Sequence, residues 1–532
     1  MAIQLKASVH DQTQVELDLD YQIHEGPPPA IGAKTWSVNF YFFIPHSLGI
    51  HPSTYTREQF YNDLTNHMRL HTPNPGGSAL ELLKPVAEYL SVYTPTRKKT
   101  DLVALVCQQV KLFANRINAS LKQIQQTLSN ELHSPSFPSS HSTPSSFQHR
   151  RALDLYIQSI KDLIQDIEVF RSQYVEPVRH PRLTVVPEVQ KVILSADEFI
   201  KNRFEATFSR LLHRCRTSDQ PHLNELRILF REILSSQAQY QLTQCVPQTE
   251  SKHTPNQERE VFYYRHGLLK KFISMPLYLQ KKSSKQERVY RNWIAAFGAA
   301  LAGIWAQIAD LQARRMAAQQ DLGFSFFGIA GLAIMAYVFK DRIKDLTKEY
   351  FNEKMKTYLP DYKVKLIHTL VTEDLQTKHI LIGRFNEFMR YLDIQSTPQE
   401  IQYIRKMHER KDLQSEHLEG VIHYNKKLRI NTHNLKLEFK GVSSIKDIIR
   451  FNFSDFLDHL DDHEKSLATF DEDEGTGEVI TPKVYHINLL IHSICEPLNR
   501  FAHYRVILDK RGIVRVEELN QPDLLQYYST EK

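Results

Sequence analysis

The chain is 532 residues long, with 67 Lys and Arg against 61 Asp and Glu, a formal net charge of +6 and a pI near 8.8. Its 41% hydrophobic and 24% charged content is that of folded domains and excludes general disorder. The modest basic excess forms no long stripe of the kind a nucleic-acid channel needs.

Cys107, Cys215, Cys245 and Cys495 are scattered without a C-x-x-C pair, so neither a zinc cage nor a disulfide framework is indicated. The opening residues lack the basic-then-apolar layout of a secretory signal. Both observations point to a reducing, cytoplasmic setting.

In chain order, Val15, Leu17, Leu19, Tyr21 and Ile23 alternate with polar residues, the period-2 pattern of a half-buried strand. A Gly26 to Pro29 break and a second apolar segment, Thr35 to Ile44, suggest an antiparallel pair. Thr56 with Gln59 and Ser78 with Glu81 fit capping boxes. Residues 133–150 are rich in Ser and Pro and read as a linker.

Helical spacing follows. Leu153, Tyr156, Ile160, Leu163, Ile167 and Phe170 recur at steps of three and four, and further helices are expected at Ser195 to Arg214, capped by Ser195, and at Pro221 to Gln241. Together they suggest a bundle or coiled-coil-like stalk.

Two uncharged apolar stretches come next, Asn292 to Ala309 and Leu322 to Phe339. Each is 18 residues, roughly 27 Å as a helix, against a hydrocarbon core of about 30 Å. Five Lys and Arg precede the pair within residues 281–291 and six follow within 340–356, while only Arg314 and Arg315 lie between. That asymmetry predicts a two-span membrane hairpin with both arms cytoplasmic and Asp310 to Asp321 as the far loop. The basic flanks would meet anionic lipid headgroups. Gly298, Ala302 and Gly303, with Gly328 and Gly331 on the second stretch, are the small residues expected to bring two backbones together, within one hairpin or by self-association.

Lys340 to Leu359 keeps helical spacing, so the second span is expected to run on as one rod until Pro360. Helices are expected to about residue 415, one opened by Thr397-Pro398-Gln399-Glu400. Alternation then returns at 435–439, 449–453, 484–491, 504–508 and 513–516, the last two joined through Gly512 as a hairpin.

The fold class expected is therefore α+β, multidomain and predominantly helical. Its parts are an N-terminal α+β domain (1–132), the linker, a helical bundle (151–290), the membrane hairpin (291–340), a helical segment (341–415) and a C-terminal β-rich domain (416–532).

Chemistry is sparse. Only 17 Gly occur, and no dinucleotide, P-loop or nucleophile-elbow motif is present. If residues 455–463 form a helix, His459 and His463 stand one turn apart beside Asp455 and Asp462, a spacing that could hold a metal; a metal-dependent hydrolase is the weakest reading this supports. His67 and His71 repeat the spacing without an acid. His486, Asn488 and His492 would line one face of a strand. No cofactor is implied. The leading expectation is a membrane-anchored, non-enzymatic interaction, scaffold or regulatory protein that binds a bilayer and a protein partner and no nucleic acid. The alternative is a soluble helical protein that inserts its hairpin conditionally, as pore-forming proteins do.

Overall fold

The computed structural model describes residues 3–23, 34–72, 78–92, 100–133, 145–179, 185–217, 224–244, 255–285, 287–319, 325–371, 376–407, 419–438, 442–471, 475–495 and 498–519. The chain opens with β1 (Gln4–Val9), β2 (Gln14–Gln22), β3 (Lys34–Pro45), α1 (Arg57–Asp63) and β4 (Leu64–Leu70). A run of helices follows: α2 (Lys84–Val92), α3 (Thr100–His133), α4 (Ser145–Phe170), α5 (Glu176–Arg179), α6 (Pro187–Thr217), α7 (Asn224–Gln244) and α8 (Pro255–Ser274). Strand β5 (Gln280–Lys285) leads into the long helices α9 (Glu287–Gln319) and α10 (Ser325–Tyr358). The remainder is β6 (Tyr362–Val371), β7 (Thr377–Leu392), α11 (Gln399–Met407), β8 (Glu419–Ile430), α12 (Thr432–Glu438), β9 (Ser444–Asn452), α13 (Ser454–Leu457), β10 (Glu464–Asp471), β11 (Gly475–Pro482), β12 (Tyr485–Cys495), β13 (Leu498–Asp509) and β14 (Gly512–Leu519).

The strands build a four-stranded sheet, β1-β2-β9-β4, an eight-stranded sheet, β14-β13-β12-β3-β8-β7-β6-β5, and the ribbon β10-β11. Every pairing within them is antiparallel. The two large sheets share one core: Val15, Leu17 and Leu19 of β2 and Ile449 and Phe451 of β9 join Phe40 and Phe42 of β3 and Ile422 and Tyr424 of β8. Period-2 alternation is what aims these side chains into a common layer. On the opposite face of the larger sheet, Ile401 and Ile404 of α11 pack on Tyr41, Phe43, Val421, Leu490 and Phe501. A second core lies in the helical bundle, where Phe113, Ile160, Phe170, Phe199, Phe208 and Phe230 are buried together.

The architecture is thus mixed α+β, the class expected, with large antiparallel sheets; a predominantly helical fold is not confirmed. Each sheet combines strands from both ends of the chain: β2 pairs β9 and β3 lies between β12 and β8. The antiparallel pair expected between 15–23 and 35–44 does not form, because alternation sets the face of a strand and not its neighbour.

Residues 362–371 and 377–392, expected to be helical, are strands β6 and β7. Glu387 points inward between Phe385 and Met389, and this inward charge disguises the period-2 pattern. Conversely the alternating segment around Leu435 is helix α12. There the Asn431 side chain accepts from the Asn434 amide at 3.2 Å and its carbonyl from the Leu435 amide, a local cap that outweighs the pattern.

Ser195 lies inside α6 rather than capping a helix, which begins at Pro187. The Thr56–Gln59 capping box forms as expected. Ser78 accepts from Leu80 and opens a short 3-10 turn. Helix α4 covers the expected 153–170 stripe, α10 runs unbroken to Tyr358, and β9, β12, β13 and β14 occupy their expected places. Gly512, at φ 143°, opens β14 in a conformation reserved for glycine. Cys245, the Gly26 to Pro29 break, the Ser-Pro segment 134–144 and the acidic residues 472–474 lie outside the described residues.

Candidate functional site

Helices α9 and α10 form an antiparallel hairpin inserted between β5 and β6, which pair with each other at one edge of the large sheet. At about 1.5 Å per residue each helix is roughly 50 Å long. Its base is fixed by Lys363, which donates to the Tyr290 hydroxyl at 3.1 Å, and by the Lys285–Glu58 ion pair at 2.8 Å.

Among the described residues one helix, Asn292–Gln312, is long and apolar enough to cross a membrane by length and composition, with 17% of its apolar window buried. Trp293, Phe297, Ile304, Ile308 and Leu311 of α9 are exposed, as are Ile334, Met335, Tyr337 and Val338 of α10. Exposed apolar side chains thus recur along both helices, unlike the single scattered ones normal on soluble proteins.

The two-span hairpin is not confirmed, and the register of the helices explains why. Residues 310–319, expected to be the far loop, continue α9. Ala, Gln, Arg and Met in this segment are strong helix formers, and Arg314 pairs with Asp310 one turn back at 3.0 Å. The turn is therefore displaced toward the second stretch.

As a result Gly298 faces Lys344 and Thr347, and the Trp305 ring lies 6.1 Å from that of Phe339. The uncharged 292–304 segment runs beside α10 residues 340–352, which include Lys340, Asp341, Arg342, Lys344, Asp345, Lys348 and Glu349. Extended along two antiparallel helices, the same contacts set the α10 segment from Ser325 to Val338 beside the part of α9 that carries Asp310, Arg314 and Arg315. The apolar stretches are staggered along the hairpin instead of side by side. Ionised side chains at mid-bilayer depth cost about 2.5–3.5 kcal/mol each, so two flush spans in this register would carry a heavy penalty.

The small residues divide accordingly. Gly298 and Ala302 are buried one turn apart, and Gly298 is the close-approach point. A methyl group added at Gly303 or Gly331 would meet no atom within 4 Å. The contact thus runs from Gly298 to Lys344 and Thr347 and not to Gly331. Gly328 belongs to α10, but its surroundings lie outside what is described.

The metal premise changes too. Helix α13 ends at Leu457, so His459 and His463 do not share a helix face. Asp455 sits in that short helix near Tyr55 and Asp63, while His463 contacts Arg511 and lies 3.3 Å from Glu464. The Asp461 carboxylate accepts from Lys483 and from the Tyr485 hydroxyl. Asp462 lies in the irregular segment between α13 and β10, off any helix. Among the described residues no group of three or more His, Cys, Asp or Glu is arranged to hold a metal ion. His67 lies in β4 and His71 follows it, again without helical spacing.

Asn488 and His492 do share a sheet face, joined there by Asn39, His423, Asn425 and His503 from neighbouring strands. Asn425 donates to Asn39 Oδ1 at 2.6 Å, His423 Nε2 lies 3.1 Å from the same oxygen, and His423 stacks on Tyr41 at 4.5 Å. Burial, assisted by Arg390, pushes the His423 imidazole down to about 4, and burial lowers His492 as well. Neutral imidazoles in an amide network form a polar layer rather than an acid-base pair.

Sequence reasoning missed one buried charge pair. Lys426 Nζ donates to Asp447 Oδ2 at 2.6 Å with both side chains fully buried, and the Tyr21 hydroxyl donates to the same oxygen at 3.3 Å. Beside them Tyr424 donates to Glu387 at 2.7 Å, and burial raises the Glu387 carboxyl against the pull of Lys426. The network joins β2 and β9 of one sheet to β7 and β8 of the other. A signal existed: Lys426 falls on the same alternating face as Tyr424 and Leu428.

No family model, no curated protein and no solved structure matches this chain.

Proposed function

We propose that the chain is a membrane-associating, non-enzymatic interaction protein in which the α9–α10 hairpin is the lipid-contacting element and the α+β body carries the partner surface. The observation that carries this reading is the apolar helix Asn292–Gln312 with only 17% of its window buried, because water-exposed apolar area of this extent gains free energy at about 25 cal/mol per Å² when covered. Pairing of β5 with β6 at the base supports placing both arms on one side of the bilayer. The basic residues at 281–291 and 340–356 favour the cytoplasmic side and an anionic headgroup layer.

The test is flotation of the full-length chain with phosphatidylcholine–phosphatidylglycerol vesicles, followed by an alkaline wash. Co-flotation that survives the wash is expected. A chain that stays at the bottom of the gradient removes the lipid from this reading.

The staggered register favours a second reading, conditional insertion. Both apolar stretches reach the same depth only if α9 and α10 slide or separate, so full insertion is coupled to rearrangement of the hairpin. Dye release from loaded vesicles distinguishes a pore-forming or remodelling hairpin from a static anchor, which leaves the dye enclosed.

A further inference from the structure

Between the helical bundle and the four-stranded sheet lies a cleft of about 340 Å³ lined by residues of β4, α3 and β9. Its cationic lining is Arg69, Arg116, Lys122 and Lys446, with His71 beside them, and among the described residues no carboxylate lines it. Arg203 and Lys270 add further positive charge, each acting on Lys122.

Some of this charge is answered locally. Lys446 pairs with Asp18 at 2.8 Å, neighbouring Arg450 pairs with Glu16 at 2.7 Å, and Arg116 feels Asp166 and Glu81. Among the described residues no ion pair is present at Arg69 or Lys122. Lys122 remains open to water. Crowding by the cleft walls, and then by Arg69, Arg203, Lys270 and Lys446, holds its ammonium down to about 8. Like charges only partly answered by counter-charges raise the energy of the folded state, and a bound anion relieves it.

We propose that this cleft is a binding site for a phosphate-bearing anion. The Arg69 guanidinium, a planar fork, is suited to phosphate oxygens, and the Lys122 ammonium adds a point charge. Ser120, Asn118, Gln123 and Gln126 line the same cleft and supply uncharged hydrogen-bonding groups. The volume lies at the small end of the ligand-pocket range of about 300–1,000 Å³, the size for a compact phosphorylated molecule or a lipid headgroup. The site lies outside the hairpin and stands whether or not the hairpin enters a bilayer.

The test uses the full-length chain in a zwitterionic detergent, titrated with inorganic pyrophosphate, and in parallel sedimented with phosphatidylglycerol against phosphatidylcholine vesicles. Wild type is compared with Arg69→Gln/Lys122→Gln and with Lys161→Gln, an exposed cation on α4 away from the cleft. The double variant weakens pyrophosphate binding at least tenfold if the anion is a free phosphate compound, or loses the phosphatidylglycerol-dependent excess if it is a headgroup. Lys161→Gln changes neither. Lys122→Gln alone, at a water-exposed position, keeps the fold and weakens the same arm severalfold. Absence of binding in both arms, or equal binding by wild type and both cleft variants, overturns the proposal.

Discussion

Gly298 of α9 lies so close to Lys344 of α10 that a methyl group on it would come within 3.3 Å of the Lys344 carbonyl oxygen. This contact marks the hairpin register that the position of the turn sets, and with it the stagger that leaves each apolar stretch beside a charged one. Gly298→Val should therefore force the helices apart and lower the unfolding midpoint of the hairpin. Gly303→Ala and Gly331→Ala meet open space and should raise helix stability by about 0.5–1 kcal/mol each. Helical ellipticity followed through a thermal scan reads both effects; stabilisation by Gly298→Val would contradict the close approach.

Lys426→Met should destabilise the chain by about 3–5 kcal/mol, since it leaves the Asp447 carboxylate buried and unpaired. The double variant Lys426→Met/Asp447→Leu should recover part of that loss, because the two charges leave together while Glu387 keeps the Tyr424 hydroxyl as donor and loses the pull of Lys426. Urea unfolding of the two variants measures the difference. Equal losses in both would mean that the pair is not sealed from water.

His423 titrates at about 4 in the folded chain, below its ordinary value near 6.5. The unfolded chain therefore binds the proton first as pH falls, so stability is intact above about 6.5 and declines on acidification toward 4. His423→Asn should flatten this part of the stability profile, by about 3 kcal/mol at most between the two limits. Melting midpoints of wild type and variant at half-unit steps from pH 4 to 7 give the comparison.

Trp36 is buried in the sheet core, whereas Trp293 and Trp305 stand exposed on α9. Adding phosphatidylglycerol-containing vesicles should shift tryptophan emission to shorter wavelength, and Trp293→Phe/Trp305→Phe should abolish the shift while leaving flotation in place. Ile304→Asp/Ile334→Asp, by charging the exposed apolar surface of both helices, should abolish flotation itself.

Much of the local structure was legible in the residues. The Thr56–Gln59 capping box, the stripe from Leu153 to Phe170, the rod from the second apolar stretch to Tyr358 and the Gly512 hairpin all follow from interactions within a few residues. The polar face at Asn488 and His492 was also readable, as strand alternation requires only that the strand be regular. Failures came where a local cap or an inward charge countered the pattern, as at Asn431 and Glu387.

What the residues alone determined is periodicity, capping and the places where charge is missing, because these depend on neighbours along the chain. What tertiary structure decided is partnership: β2 with β9, β3 between β12 and β8, Lys426 against Asp447, Gly298 against Lys344, and the cations of β4, α3 and β9 around one cleft. The physical reason is that alternation and helical spacing orient a side chain toward a face, while its neighbour on that face comes from chain segments up to hundreds of residues away. For the apolar pair the consequence is concrete. Its composition marks a surface that water disfavours, and only the position of the turn between α9 and α10 determines that the two stretches stand at different depths.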